Sequence, residues 1–180
     1  GAAGGPAPAG NTANLLDGSN DHTRWPNGFA DFSAGFSFEA WVVPTAVTST
    51  AGIFDLGNGS TSDNLVFRRV GTTLEFEVDV EGMQVALVSA SGAVELNAWQ
   101  HLAVTMAPDG RITLYKNGSP VAFGDASEAP RAIVRTFNYL GRNTSGNHFA
   151  GRIDCTPFSR HAPPTPQGRR RRTSGNAPGR

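Results

Sequence analysis

The sequence predicts an all-β fold, a sandwich or a barrel of short antiparallel strands, and three observations carry that expectation. Short runs with two-residue apolar alternation recur from Asn11 to Asp154. Turn-forming residues separate them, with 22 Gly and 12 Pro in 180 residues. About ten such runs, with no helical stretch between them, suit a sandwich or a barrel.

The clearest run is 73–81. Leu74, Phe76, Val78 and Val80 fall on one face, and Glu75, Glu77, Asp79 and Glu81 on the other. The run 36–43 sets Phe36, Phe38, Ala40 and Val42 against Ser37, Glu39, Trp41 and Val43, and it stops at Pro44, which has no N–H for a ladder. Runs 99–106 and 111–116 are joined by Ala107-Pro108-Asp109-Gly110, where Pro presets φ and Gly accepts positive φ. Asn117-Gly118 then forms the centre of a two-residue hairpin. Further strand-like runs lie at 51–56, 64–70, 83–88, 136–140 and 148–154.

The length suits one domain with a full core. No apolar run approaches the roughly 20 residues of a membrane helix. The single cysteine, Cys155, excludes an internal disulfide. The neutral formal charge divides unevenly. Residues 1–154 hold all 15 Asp and Glu and only nine of the 15 Lys and Arg, a formal charge of about −6, whereas residues 155–180 hold six Arg and no acid. An acidic domain argues against nucleic acid as a partner. Residues 1–10 read as a flexible Gly/Ala/Pro linker, 11–154 as the sandwich and 155–180 as an Arg/Pro-rich tail unable to build a core. With no secretory signal and Gly1 at its start, the chain reads as a piece of a larger protein.

Several segments together resemble one family, the bacterial laminin-G-like jelly-roll domains of the concanavalin-A-like superfamily. They are Leu16-Asp-Gly-Ser-Asn-Asp-His22, Phe36-Ser-Phe-Glu-Ala-Trp-Val-Val43, Ile53-Phe-Asp-Leu-Gly57, Trp99-Gln-His-Leu-Ala-Val-Thr105, Leu114-Tyr-Lys-Asn-Gly118 and Phe149-Ala-Gly-Arg-Ile-Asp154. They occur in the family's order over about 13–154. The resemblance implies a two-sheet antiparallel β-sandwich of the jelly-roll kind, and a non-catalytic module of a secreted or cell-surface protein that binds a glycan or a surface polymer, often with Ca²⁺. It also implies that Trp41 and Trp99 are core residues. A structural spacer in an adhesin is a further alternative. The family pattern continues past Ile-Asp with another stretch of strand, whereas here Cys155-Thr156-Pro157 follows. A shifted reading frame and a genuine interdomain tail both account for that departure.

Three sets of side chains are candidates for chemistry. Glu77-Val-Asp79-Val-Glu81 matches the E-x-D-x-E pattern of retaining β-glucanases, so the catalytic alternative uses Glu77 and Glu81 flanking one glycosidic bond, with Asp79 between them. Its plain counterpart is an acidic, solvated strand face. For Ca²⁺ the candidate ligands are Asp17, Asp21 and Asp154, because the two ends of a jelly roll lie close. As plain turn formers, Asp17 and Asp154 need no ion. For a glycan, the polar loops 57–64 and 141–148 supply Asn58, Asp63, Asn64, Arg142, Asn143, Asn147 and His148. His101 reads as structural.

Overall fold

A computed structural model describes residues 13–46, 49–60 and 62–155. Two six-stranded antiparallel sheets face each other, and no described residue is helical. Sheet I has the order β1 (Asn14–Asp17), β12 (Ala150–Cys155), β3 (Phe36–Pro44), β8 (Gln100–Met106), β9 (Arg111–Lys116) and β10 (Ser119–Asp125). Sheet II runs β2 (Thr23–Arg24), β11 (Phe137–Leu140), β4 (Thr50–Gly57), β5 (Leu65–Val70), β6 (Thr73–Val80) and β7 (Met83–Ala90).

The core follows from the alternation. Phe36, Phe38, Ala40 and Val42 of β3 point inward and are buried. They meet Phe54, Phe67 and Phe76 of sheet II. The Phe38 and Phe54 centroids lie 4.4 Å apart, and those of Phe36 and Phe76 5.7 Å apart. Burying each such ring contributes on the order of 2–3 kcal/mol. Trp41 and Trp99 do not join this core, contrary to what the resemblance implies. Both are only half-buried, and Trp41 stands on the outer face of sheet I against His101, with centroids 5.4 Å apart. The two-residue period decides this, since inward Ala40 and Val42 force Trp41 outward.

The turns follow their residues. Asn117 and Gly118 both adopt positive φ, 50° and 78°, as a type I′ hairpin requires. The run expected over 73–81 ends at Val80 instead. Glu81 and Gly82 take φ of 50° and 81° and form a second tight turn, into β7. The first and last described strands pair as the jelly roll demands, with Asn14 opposite Ile153. On its other side β12 pairs with β3 as far as Cys155 opposite Ala40. The linker expected at 1–10 and the tail beyond 155 lie outside the described residues.

Candidate functional site

The outer face of sheet II carries the chemistry. Register places Tyr139, Asp55, Val66, Glu77 and Leu87 in one row across β11, β4, β5, β6 and β7. Loop 141–148 folds back over this row. The Gly141 N–H donates to the Ile53 carbonyl (2.8 Å), and the Gly52 N–H to the Asn147 carbonyl (3.2 Å). The backbone N–H and hydroxyl of Thr144 both donate to Asp55 Oδ2, at 2.7 and 2.9 Å. The loop lies so close to β4 that a Cβ on Gly52 would collide with the Arg142 carbonyl group and the Asn143 nitrogen. Gly52→Ala is therefore expected to lift loop 141–147 and to destabilise the domain by about 1–3 kcal/mol. Hydrogen exchange at 141–148 measures this, and unchanged protection there would refute the close fit.

The structure brings the two polar loops together, with Asn64 Nδ2 donating to Thr144 Oγ1 (3.0 Å). Most of the expected glycan contacts are nevertheless spent on the fold. Asn64 also donates to the Gly59 carbonyl and is buried. Asn58 accepts from Thr136 N–H and hydroxyl and donates to the Val134 carbonyl. Asp63 is buried, accepts from Glu81 N–H and lies 3.6 Å from Arg131. Asn143 Oδ1 accepts from Asn147 N–H across its own turn. Arg142, Asn147 and His148 remain at the rim. The Arg142 guanidinium carbon sits 4.5 Å above the Tyr139 ring. His22 lies edge-on to the same ring at 5.5 Å and faces His148 at 5.7 Å. Arg24 pairs with Tyr139 in register, so it shares that face. Sequence reasoning passed over His22, Arg24 and Tyr139. The Thr23–Arg24 strand has no pattern of its own, and its partner β11 is 115 positions away.

The acidic row is ion-paired. Arg68 Nε reaches Glu75 at 2.9 Å, and its Nη2 reaches Glu77 at 2.6 Å. Burial, reinforced by the charges of Asp79 and Glu77, pushes Asp55 up to about 7 despite the two Thr144 hydrogen bonds. Burial, with Glu77 alongside, pushes Asp79 up to about 6. Glu81 does not share this face. It stands in the β6–β7 turn, mostly exposed, 3.0 Å from Arg131. The alternation that would set Glu77 and Glu81 side by side breaks at the register shift after Val78 and at the turn.

The three carboxylates expected around calcium do not converge. Asp17 pairs with Ala150 at one end of β12, and Asp154 lies four residues along it, roughly 13 Å at the usual rise. Asp17 Oδ1 instead accepts the backbone N–H groups of Ser19, Asn20 and Asp21 at 2.8, 3.1 and 3.3 Å. These bonds, that of Ser19 foremost, hold its pKa below the ordinary value. Asp21 Oδ2 in turn accepts Asp17 N–H at 3.1 Å. Among the described residues, no three His, Cys, Asp or Glu side chains are grouped as a metal would need. On sheet I, His101 Nε2 lies 3.2 Å from Glu39, a strand-to-strand contact. Among the described residues, no helix is long and apolar enough to cross a membrane.

Comparison with known proteins agrees with this architecture. A sialidase CBM40 domain from Ruminococcus gnavus, bound to α2,3-sialyllactose, superposes with a TM-score of 0.62 at 15% identity, covering 79% of this chain and 91% of that one. Domain 4 of an extracellular GH43 arabinanase from Geobacillus stearothermophilus, in complex with arabinotriose, gives 0.64 at 21% identity over 83% and 71%. Domains LG4-5 of the mouse laminin α1 chain give 0.59 at 13% identity, over 83% of this chain and 43% of that one. No curated protein matches the sequence significantly. A family model, the laminin-G-like group of the concanavalin A-like lectin/glucanases superfamily, matches residues 17–164, and this chain belongs to that family.

Proposed function

We propose that this domain is a non-catalytic, glycan-binding module of an extracellular protein, and that the sugar docks on the outer face of sheet II at the rim of loop 141–148. The observation that carries this reading is the gathering of Arg142, His22 and Arg24 at Tyr139, with His148 against His22 and Asn147 beside it on the same loop. A cluster of hydrogen-bond donors packed on a buried ring suits a hydroxylated ligand, and such sites sit on loops held by a rigid scaffold. Two relatives of the same fold hold sialyllactose and arabinotriose. The catalytic alternative finds less support, because Arg68 and Arg131 hold Glu77 and Glu81 in separate ion pairs.

Calorimetric titration against a panel of neutral and acidic oligosaccharides, with a reducing-sugar assay alongside, tests the proposal. Saturable binding without hydrolysis is expected, weakened at least about tenfold in Tyr139→Ala or Asn147→Ala, equivalent to about 1.4 kcal/mol. Hydrolysis that disappears in Glu77→Gln would replace this reading with the glucanase one.

A further inference from the structure

His22 and Arg24 come from one stretch of the chain and Arg142 and His148 from another, yet the two pairs meet beside the Tyr139 ring, with His148 against His22. All four can carry positive charge, in a domain whose formal charge is about −6. Arg142 and His148 face each other across an isolated bridge. Among the described residues, no carboxylate forms an ion pair with any of the four. From these observations we propose that the four side chains form an anion-binding subsite that takes the carboxylate or sulfate of an acidic sugar.

The inference rests on the glycan-binding reading and narrows it. Positive charge on one of these groups disfavours it on the next, and an anion among them removes that penalty. His148 registers the conflict. Burial lowers its pKa first, and Arg142 and His22 lower it further. Three carboxylates face the cluster. Asp17 has the weakest influence on His148 of any group acting on it, and three backbone N–H groups already occupy its Oδ1. Asp21 is tied to Asp17 N–H. Asp55 is buried under Thr144.

The geometry also disfavours a neutral sugar stacked on the ring. The Arg142 guanidinium already covers the Tyr139 face, and Tyr139 is only 9% exposed. A neutral ring would have to displace that cation, whereas an anion can use it. Arg142 spends only its Nε on the protein, donating to the Asn143 carbonyl (3.1 Å), so its two Nη groups remain for a planar carboxylate or a sulfate. His22 Nδ1 lies 2.9 Å from the Asn20 carbonyl, which can only accept, so Nδ1 holds the hydrogen. An anion seated beside Arg142 favours the charged form of His148, so anion affinity rises as pH falls.

The experiment is titration calorimetry with three probes: a galacturonate trisaccharide, the neutral galactose trisaccharide and a sulfated lactose. Each is run at pH about 5.5 and about 8, either side of histidine's ordinary range. Proton NMR follows the His148 ring in the same samples, and inorganic sulfate serves as a sugar-free probe. The expected result is at least about tenfold tighter binding of one acidic probe than of the neutral one at the lower pH. That preference should shrink several-fold at the higher pH and in Arg142→Gln, while the His148 titration midpoint rises with ligand. The stronger acidic probe shows whether carboxylate or sulfate is the natural group. His148→Gln, checked for an unchanged melting temperature, provides a second variant if Arg142→Gln fails to fold.

Equal, pH-independent affinity for neutral and acidic probes overturns the anion subsite and leaves the glycan module standing. If no sugar binds but inorganic sulfate raises the His148 midpoint in the wild type and not in Arg142→Gln, the subsite stands and the glycan reading falls. If neither sugar nor sulfate moves His148, both are overturned.

Discussion

Lowering the pH from about 8 to about 5 is expected to stabilise this domain, and Asp55→Asn is expected to remove most of that gain by stabilising the protein at the higher pH. Asp55 is fully buried, only one of its oxygens has partners, and Asp79 and Glu77 add negative charge nearby. Its folded pKa of about 7 stands above the ordinary value of 3.8. The folded state therefore holds this proton more tightly than the unfolded chain does. The relative stability from that proton is complete below about 4, and it is lost as pH rises to about 7. The shift is worth up to about 4 kcal/mol at 1.36 kcal/mol per pH unit. Asp79, raised to about 6, acts in the same direction. In the variant, an uncharged carbonyl still accepts both Thr144 donors. At pH about 8 the melting temperature should rise by on the order of 5–15 °C. Thermal unfolding followed by circular dichroism from pH about 4 to about 9 measures both effects. A wild-type melting temperature that is flat or falls toward pH about 5 would sink the argument, and so would a variant less stable at every pH.

The second large effect concerns Arg135, whose side chain is fully buried. Its Nε donates to the Asp63 carbonyl and one Nη to the Phe29 carbonyl, both at 2.8 Å, with longer contacts to the Ile133 and Arg131 carbonyls. The guanidinium carbon stacks 4.9 Å from the centre of the Phe32 ring. Burial lowers its pKa to about 10, and the charge of Asp63 opposes that shift, so it stays charged at neutral pH. One cation thus closes three loops, those at 26–35, 58–64 and 131–135. Arg135→Ala leaves a cavity and strands these carbonyls without donors, at an expected cost of about 3–5 kcal/mol. Arg135→Lys should recover little, because an ammonium is a compact point charge rather than a planar fork. Urea unfolding of both variants measures this. A loss under about 1 kcal/mol for the alanine variant would show that water replaces the guanidinium without penalty.

The sandwich was legible in the sequence because its strands are half-exposed and therefore alternate. The inward set of β3 and β6 can be read residue by residue from Phe36 to Val42 and from Leu74 to Val80. Asn117-Gly118 likewise announces its own turn, because few residues accept two positive φ angles in succession. The loops of the candidate site were legible as loops, but their side-chain roles were not. Asn58, Asp63, Asn64 and Asn143 look like sugar contacts in one dimension, and in three they satisfy backbone groups of their own or neighbouring loops. Tyr139 was hidden for the converse reason. Its importance comes from His22, Arg24 and Arg142, which reach it only through the pairing of β2 with β11 and the fold-back of loop 141–148. Glu81 misled because a strand pattern continues on paper through a turn that begins one residue earlier.

The way loop 141–148 is fastened also divides it into two parts with different freedoms to vary. Its inner side is fixed by Gly52 and by the hydrogen bonds of Thr144 with Asp55 and Asn64, and none of these reaches the rim. The segment between Thr144 and Phe149 carries the outward side chains and makes few demands on the core. A lineage, or a combinatorial library, that keeps the clasp and Gly146, whose φ of 83° disfavours a side chain, and varies 145, 147 and 148 can sample new recognition surfaces while every inward side chain of the two sheets stays as it is.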